Sequence, residues 1–282
     1  MVVYKIVFAS MVQKFIYHYT TIETLALILK NHTIRFSRLD KVDDIEESEF
    51  TSGPTNVRLG NYVFASCWTR CEEESIAQWK LYAGYDGVRI ALAENDVFQT
   101  YDITPEFPNS MKSYFKPPFS PVGKDAICDP RINPITCEDV VYTADPDFLA
   151  QDAIIDTGTH TALSSTNAGK YKRRIWEFQH ECRFKFFVYP MEAKIVEILG
   201  RTEIDLNQML FISSQCMRNV LLNKQPISQE YYDAAMSSTA LDNLQVMLGP
   251  RTSVAQETIV KALLNQYAPK AILRHSKLKL RK

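Results

Sequence analysis

Glycine is scarce in this sequence, and long apolar runs are absent. Nine of the 282 residues are glycine, and they form neither the Gly-x-Gly-x-x-Gly fingerprint of Rossmann domains nor a Walker-type phosphate loop. No apolar stretch approaches the ~20 residues that a membrane-spanning helix needs, and the first residues lack the order of a signal peptide. These absences exclude a Rossmann enzyme, and we expect a cytoplasmic protein with no membrane partner.

Neither the cysteines nor the net charge indicates a metal or a nucleic acid as ligand. The six cysteines are spread along the chain, and no second pair or histidine follows Cys67 and Cys71 at zinc-binding spacing. We therefore expect reduced thiols and no metal. The formal net charge of −1 argues against a protein that binds nucleic acid by charge alone. The basic residues 170–174 and the basic C-terminal tail are either solvated surfaces or local contacts to phosphates.

Aromatic residues are plentiful and favour a fold that contains strands. The chain has 14 tyrosines and 15 phenylalanines, and hydrophobic residues make up 46% of it. Residues 33–38 alternate as a strand, with Arg35 and Ser37 on its polar face. Seven prolines between residues 104 and 134 predict an irregular loop or lid. Further predicted elements are strands at 61–68 and 87–93 and helices at 74–82, 147–165 and 228–237.

Residues 15–29 contain the first candidate site. A predicted strand brings His18 and Tyr19 directly to the start of a predicted helix, where Thr20 and Glu23 form a capping box. Two interpretations of His18 are open. It is either a satisfied core histidine where the chain turns a corner, or part of a site that grips a flat, polar ligand.

Trp79 and Tyr82 form a second candidate. They stand three residues apart on a predicted helix, so they share one side of it. They are either an aromatic seam in the core or a wall on which a nucleobase or nicotinamide stacks.

Residues 176–186 form the third candidate and predict a strand with two different faces. The apolar face contains His180 and Cys182 among aromatic residues, and we predict that this face packs into the core. The polar face contains Gln179, Glu181 and Arg183, and it is either a solvated surface or the wall of a cleft. In a cleft, a glutamate holds a ribose hydroxyl and stabilises positive charge, while the glutamine orients an incoming nucleophile.

Four segments together resemble one family. Residues 17–47, 78–90, 172–186 and 246–278 follow the order of the bacterial domain-of-unknown-function family 2971. That family has a His-Tyr-Thr start, an Asn-Asp-Pro-x-Glu stretch, a Trp-x-x-Tyr-Ala stretch followed by Gly-Val-x-Ile, and a Trp-x-x-Glu-x-Glu-x-Arg-like segment. The resemblance runs from about residue 15 to the C-terminus. The chain departs from the pattern where Asp43 stands for Asn and Ile45 for Pro, and its turn between Tyr82 and Gly87 is shorter than usual.

The start of that family is similar to ADP-ribosyltransferases of the His-Tyr-Glu type and of the DNA- and RNA-modifying toxin type. The resemblance implies an α+β fold with a split, mixed β-sheet, surrounding helices and a cleft between the sheet halves. We expect residues 1–10 to be an N-terminal extension and residues 11–282 to be a single ADP-ribosyltransferase-like domain with a proline-rich insertion at about 104–134.

The resemblance also implies roles for individual residues. Glu181 would be the catalytic glutamate, and His18 would donate its ring N–H to a ribose of NAD. The remaining residues expected to bind NAD are Tyr19 and Thr20 beside His18, Arg35 and Ser37 near the phosphates, Trp79 or Tyr82 against a ring, and Gln179. Tyr62 and Tyr82 are the candidates for the aromatic residue that the family has on its second strand.

These roles predict a glycosyltransferase that moves ADP-ribose from NAD to a nucleic acid or a protein and releases nicotinamide. The resemblance implies a toxin or an antiviral effector, with an antitoxin or another inhibitor protein as partner. Two alternatives stay open: a non-catalytic nucleotide-binding module and an NAD glycohydrolase. A transferase needs an unpaired glutamate that faces the cleft, so a salt bridge from Glu181 to Arg183 or to a neighbouring lysine would weaken the enzyme interpretation.

Overall fold

The computed structural model describes residues 14–49, 51–52, 56–103, 111–145, 154–156, 161–163, 167–199 and 206–281. The expected N-terminal extension, residues 1–10, lies outside these ranges. The helices are α1 (Ile22–Asn31), α2 (Glu46–Glu49), α3 (Ile76–Ala83), α4 (Ala193–Leu199), α5 (Leu206–Leu221), α6 (Ser238–Asp242) and α7 (Val254–Tyr267).

The strands are short except where they build the central sheet. In chain order they are β1 (Phe15–Thr20), β2 (Thr33–Arg38), β3 (Thr51–Ser52), β4 (Val57–Arg58), β5 (Val63–Thr69), β6 (Val88–Ala93), β7 (Tyr101–Asp102), β8 (Lys112–Ser113), β9 (Ser120–Pro121), β10 (Ala126–Cys128), β11 (Cys137–Asp139), β12 (Val141–Thr143), β13 (Ile154–Asp156), β14 (Thr161–Leu163), β15 (Tyr171–Arg173), β16 (Glu181–Phe187), β17 (Tyr189–Pro190), β18 (Tyr231–Ala235), β19 (Gln245–Leu248) and β20 (Ile272–His275).

The central sheet has nine strands. Seven of them follow the order β11-β16-β5-β1-β6-β19-β20, and β2 joins β5 on one side and β18 on the other. The β19–β20 pair is parallel, and the other neighbouring pairs are antiparallel, so the sheet is mixed. The predicted α+β class, with a mixed sheet and several helices, is confirmed. The likeness to ADP-ribosyltransferases stays a prediction.

Aromatic packing explains where the core lies. Phe184 and Phe186 of β16 are buried on one face of the sheet, and Phe64 of β5 stacks on Phe186 with ring centroids 5.3 Å apart. Phe115, which follows β8 in the proline-rich stretch, makes an edge contact with Phe186. The described part of that stretch therefore packs into the core, with short strands and a 3-10 helix (Pro130–Ile132).

Several predicted elements differ from the structure. The capping box was wrong by one residue: β1 continues through Thr20, which pairs with Val88, and the N-cap of α1 is Thr21, whose hydroxyl accepts from the Thr24 N–H. The helix predicted at 147–165 was wrong in its described part, because β13 and β14 pair there as antiparallel strands. The helix predicted at 228–237 was also wrong, because β18 pairs with β2 along the edge of the sheet.

Candidate functional site: a cavity at a gap in the central sheet

A gap between strands positions the candidate site. One edge of β5 pairs with β2 at Ala65 and with β1 at Thr69, but neither strand pairs with it between these two positions. An edge without a partner leaves backbone groups to be satisfied by other means. Here the His18 ring fills the gap, because its Nδ1 lies 2.9 Å from the Cys67 carbonyl oxygen.

The tautomer of His18 follows from this bond. A carbonyl oxygen only accepts, so Nδ1 has the proton and Nε2 of the neutral ring is an acceptor. Burial lowers the pKa of His18, an effect that the Cys67 hydrogen bond partly offsets, so the neutral form predominates near pH 7. The expectation that His18 donates its N–H to a ribose was therefore wrong, because Cys67 already takes that N–H. The ring has an acceptor nitrogen to offer to a hydroxyl.

A cavity of about 270 Å³ opens at the gap. Residues from five parts of the chain line it, namely Tyr17, His18 and Tyr19 of β1, residues 37 and 41–43 in and after β2, Cys67 and Trp68 of β5, Gln78 and Tyr82 of α3, and Lys172, Gln179 and Glu181. The Trp68 ring packs against His18 at a centroid distance of 5.3 Å. The volume lies just below the range of about 300–1,000 Å³ that is usual for small-molecule pockets, so it suits one end of a dinucleotide.

Two glutamines and a tyrosine form one wall of this cavity. Gln78 Nε2 donates to the Gln179 carbonyl at 2.7 Å, and Gln179 Nε2 donates to the Tyr82 hydroxyl at 2.5 Å. The Gln179 Oε1 atom is buried and has no hydrogen-bond partner in the described residues. Burial raises the pKa of Tyr82 to about 12, so its hydroxyl stays protonated at neutral pH.

A buried cluster of four charged side chains adjoins the cavity, and two of its members, Lys172 and Glu181, line it. We call Glu47, Lys172, Glu181 and Arg183 the charge quartet; each has at most 5% of its surface exposed. Lys172 Nζ lies 3.0 Å from Glu181 Oε2 and 3.0 Å from Glu47 Oε1. Arg183 donates from Nε and Nη2 to Glu181 Oε1, at 2.9 and 2.6 Å, and from Nη1 to Glu47 Oε2 at 2.6 Å. Each cation is thus shared by both carboxylates.

The quartet fixes the ionisation of Glu181. Burial alone would raise the pKa of this carboxyl, but the Arg183 and Lys172 charges outweigh that effect and hold the pKa below its usual range. Burial would also lower the pKa of Lys172, yet Glu181 and Glu47 raise it. Glu181 is therefore a carboxylate at neutral pH, with both oxygens paired. The ion pairs of Glu181 with Arg183 and Lys172 weaken the interpretation of the chain as an enzyme.

Six of the predicted site residues come together in the cavity. His18, Tyr19, Ser37, Tyr82, Gln179 and Glu181 all line it, although they come from four separate segments of the chain. Tyr19 also packs edge-on against Trp79 at 4.9 Å, and its hydroxyl accepts from the Ser75 N–H at 3.0 Å.

The other predicted site residues lie elsewhere. Thr20 is buried and does not line the cavity. Arg35 pairs with Asp233 of β18 through two hydrogen bonds, so it is not free to hold a phosphate. Trp79 is fully buried and donates to Glu74 at 3.0 Å, which makes it a core residue and not a stacking wall. Tyr62 is buried too, with its hydroxyl bonded to the Gln225 carbonyl, so Tyr82 alone of the two aromatic candidates reaches the cavity.

The strand predicted over residues 176–186 begins later than expected. A 3-10 helix (Arg174–Gln179) precedes β16, and His180 between them has the left-handed conformation, with φ 43° and ψ 49°. His180 is exposed and not part of the core face, because the period of two applies only from Glu181 onwards. Gln179 and Glu181 reach one cavity across this kink and not as neighbours on a strand face.

Sequence reasoning missed several residues that build the site. Glu47 and Lys172 belong to an acidic segment and a basic segment that look like solvated surfaces, and only tertiary pairing shows that both are buried. Tyr142, whose hydroxyl accepts from the Glu181 N–H at 2.8 Å, lies in no sequence pattern that indicates a role in the site. Cys67 was noted only for zinc spacing. In the described residues no group of three or more potential metal ligands is present, and none of the helices is long and apolar enough to cross a membrane.

Comparisons with known proteins add no relative. No family model matches the chain, and neither a search of curated proteins nor a search of solved structures returns a match. The resemblance to domain-of-unknown-function family 2971 and to ADP-ribosyltransferases stays a prediction.

Proposed function

We propose that the chain is an ADP-ribosyltransferase that uses NAD to modify a nucleic acid or a protein. The observation that supports this best is the convergence of His18, Ser37, Tyr82, Gln179 and Glu181 on one cavity. The buried Gln179 Oε1 atom adds support, because an unpaired acceptor at a cavity wall is satisfied when a ligand brings an N–H or O–H.

In the proposed reaction the bond between nicotinamide and ribose breaks, and nicotinamide leaves with the bonding electrons. The acceptor atom bonds to the same ribose carbon and loses its proton. Glu181 is ionised and lines the cavity, so in this proposal its negative charge stabilises the positive charge that develops on the ribose. His18 Nε2 accepts from a ribose hydroxyl, and Tyr82 contributes an aromatic ring to the lining of the same cavity.

The pairing of Glu181 favours a second candidate, a non-catalytic nucleotide-binding module. Two cations already take up both carboxylate oxygens, which reduces the field that Glu181 exerts on a ligand. A binding module needs the shape and the hydrogen-bonding groups of the cavity but no free negative charge.

Nicotinamide release from NAD separates these candidates. We would measure it with the purified chain, with and without cell extract, for the wild type, Glu181→Gln and Glu47→Gln. Glu47 is the matched control, because its change removes the same charge from the same quartet and Glu47 does not line the cavity. We expect Glu181→Gln to lower the rate of nicotinamide release at least a hundredfold, because the change removes a group that stabilises charge in the transition state. Glu47→Gln should lose much less. Circular dichroism confirms that each variant is folded.

The outcomes are distinct. Release that needs extract and disappears in Glu181→Gln supports a transferase, whereas equal release without extract indicates hydrolysis by water. Binding of NAD, measured by calorimetry, without any release would replace the transferase with the binding module. Failure to bind NAD would reject the transferase and leave a module that binds another nucleotide.

A further inference from the structure

A second cavity, of about 580 Å³, lies beside the candidate site. Strands β1, β6, β19 and β20 contribute Tyr17, Arg89, Ala91, Met247 and Arg274 to its wall. Residues 72–74, before α3, and Lys277, after β20, contribute the rest of the charged groups. Tyr17 lines both cavities, but nothing in the proposed function uses the second one.

Arg89 is the unusual residue of this second cavity. It is 5% exposed, and its guanidinium lies over the Tyr17 ring at 4.5 Å. Its Nη1 donates to the Glu72 carbonyl at 2.8 Å and approaches the Tyr19 hydroxyl at 3.4 Å. Within the described part of the chain Arg89 forms no ion pair, and its Nε and Nη2 atoms have no partner. A buried cation normally has a counter-charge, so the unpaired edge of Arg89 is suited to an anionic group from outside the chain.

Other arginines of the same chain show which chemical groups bind to this edge of a guanidinium. The Nε and Nη2 atoms form one edge of the guanidinium, and this edge faces both carboxylate oxygens of Asp233 in Arg35, of Asp40 in Arg38 and of Asp129 in Arg131. Arg183 turns the same edge to Glu181. The edge matches a planar carboxylate or two oxygens of a phosphate. In Arg89 this edge is free and faces a cavity.

A second guanidinium stands on the same face of the sheet. Tyr19, Arg89, Met247 and Arg274 are directly opposite one another across four neighbouring strands, and such residues share a face. Arg89 and Arg274 are two strands apart, about 10 Å at the backbone. The Arg89 guanidinium lies over the Tyr17 ring, and Arg274 lines the same cavity as Tyr17.

We propose that this cavity binds a small molecule through a single carboxylate or phosphate group, held by the free edge of Arg89 and by Arg274. The carboxylates of Glu72 and Glu73 also line the cavity and repel a polyanion, so a ligand with one anionic group fits better than a polyphosphate or a nucleic acid. This site is independent of the proposed transferase activity, since its residues bind without NAD.

The Nε–H resonance of Arg89 in a ¹⁵N-labelled sample of the full chain tests the proposal. Its absence from the spectrum of Arg89→Lys assigns it. We would titrate the wild type with inorganic phosphate and, separately, with acetate, while sodium chloride keeps the ionic strength constant. We expect a saturable shift with at least one of the two anions, and the one that binds more tightly identifies the group. The exposed variant Arg274→Gln should weaken that binding by about tenfold.

Arg218→Gln is the matched control, because it removes an exposed arginine of α5 that does not line the cavity. It should leave the affinity unchanged. The proposal is overturned if neither anion gives a saturable shift, or if Arg274→Gln and Arg218→Gln bind equally well. Arg89 would then be a structural cation that Tyr17, Tyr19 and the Glu72 carbonyl stabilise.

Discussion

Glu181 and His18 show that the neighbours of a side chain decide which of its chemical roles are available. Glu181 lines the cavity and has the residue type that the proposed transferase requires, but Lys172 and Arg183 occupy both of its oxygens. His18 reaches the cavity, and Cys67 fixes which nitrogen is protonated. Sequence patterns predicted that both residues belong to a site. They left open whether Glu181 pairs with Arg183, two residues away, and they did not predict the bond of His18 to a backbone atom of a distant strand.

His18 makes stability depend on pH. Its pKa is lowered in the folded protein relative to the ordinary value of 6.5, so at acidic pH the unfolded chain binds more protons than the folded one. The free energy of unfolding should therefore fall as pH drops below 6.5, and His18→Gln should remove this part of the slope. Urea unfolding of both proteins between pH 7.5 and pH 5 measures the difference. Parallel curves would show that His18 is equally protonated in both states.

At the scale of secondary structure, local patterns predicted the elements whose own sequence determines them. Strand β6, with Val88 to Ala93 all buried, and helix α1, with four buried residues on one side, follow directly from their apolar spacing. The predicted strand over residues 176–186 is confirmed from Glu181 onwards but was wrong before it, because the alternating pattern continues through a 3-10 helix and a left-handed residue. That kink depends on tertiary contacts such as the bond from the Thr69 hydroxyl to the His180 carbonyl, which a period of two does not encode.

The N-cap of α1 is testable at this scale. Thr21 is exposed and its hydroxyl accepts from the Thr24 N–H at 3.2 Å, so Thr21→Ala removes a cap without leaving a cavity in the core. We expect it to lower the free energy of unfolding by about 1 kcal/mol, while Thr21→Ser keeps the cap and stays close to the wild type. Urea unfolding of the three proteins provides the measurement. Equal losses in both variants would mean that the methyl group of Thr21, and not its hydroxyl, stabilises the helix start.

For the whole molecule, the charge quartet is the feature that the sequence concealed most completely. Glu47 of α2 pairs with Lys172 of β15 and Arg183 of β16, residues more than a hundred positions later in the chain. Composition and periodicity describe one segment at a time, so they predict an exposed acidic stretch and an exposed basic stretch. The cavity itself has the same origin, since the gap beside β5 exists only because β1 and β2 pair with different parts of one strand.

The quartet should therefore determine global stability. Glu47→Gln leaves two buried cations with one carboxylate between them, and removal of one partner from a buried ion pair costs about 3–5 kcal/mol. The neighbouring Glu46→Gln is the matched control, since Glu46 is exposed and its one ion pair among the described residues is with Arg173, an arrangement worth at most about 1 kcal/mol. Urea unfolding followed by circular dichroism compares the two variants. Similar small losses would show that water reaches the quartet and screens its charges, and Glu181 would then be freer to act on a ligand than its pairing indicates.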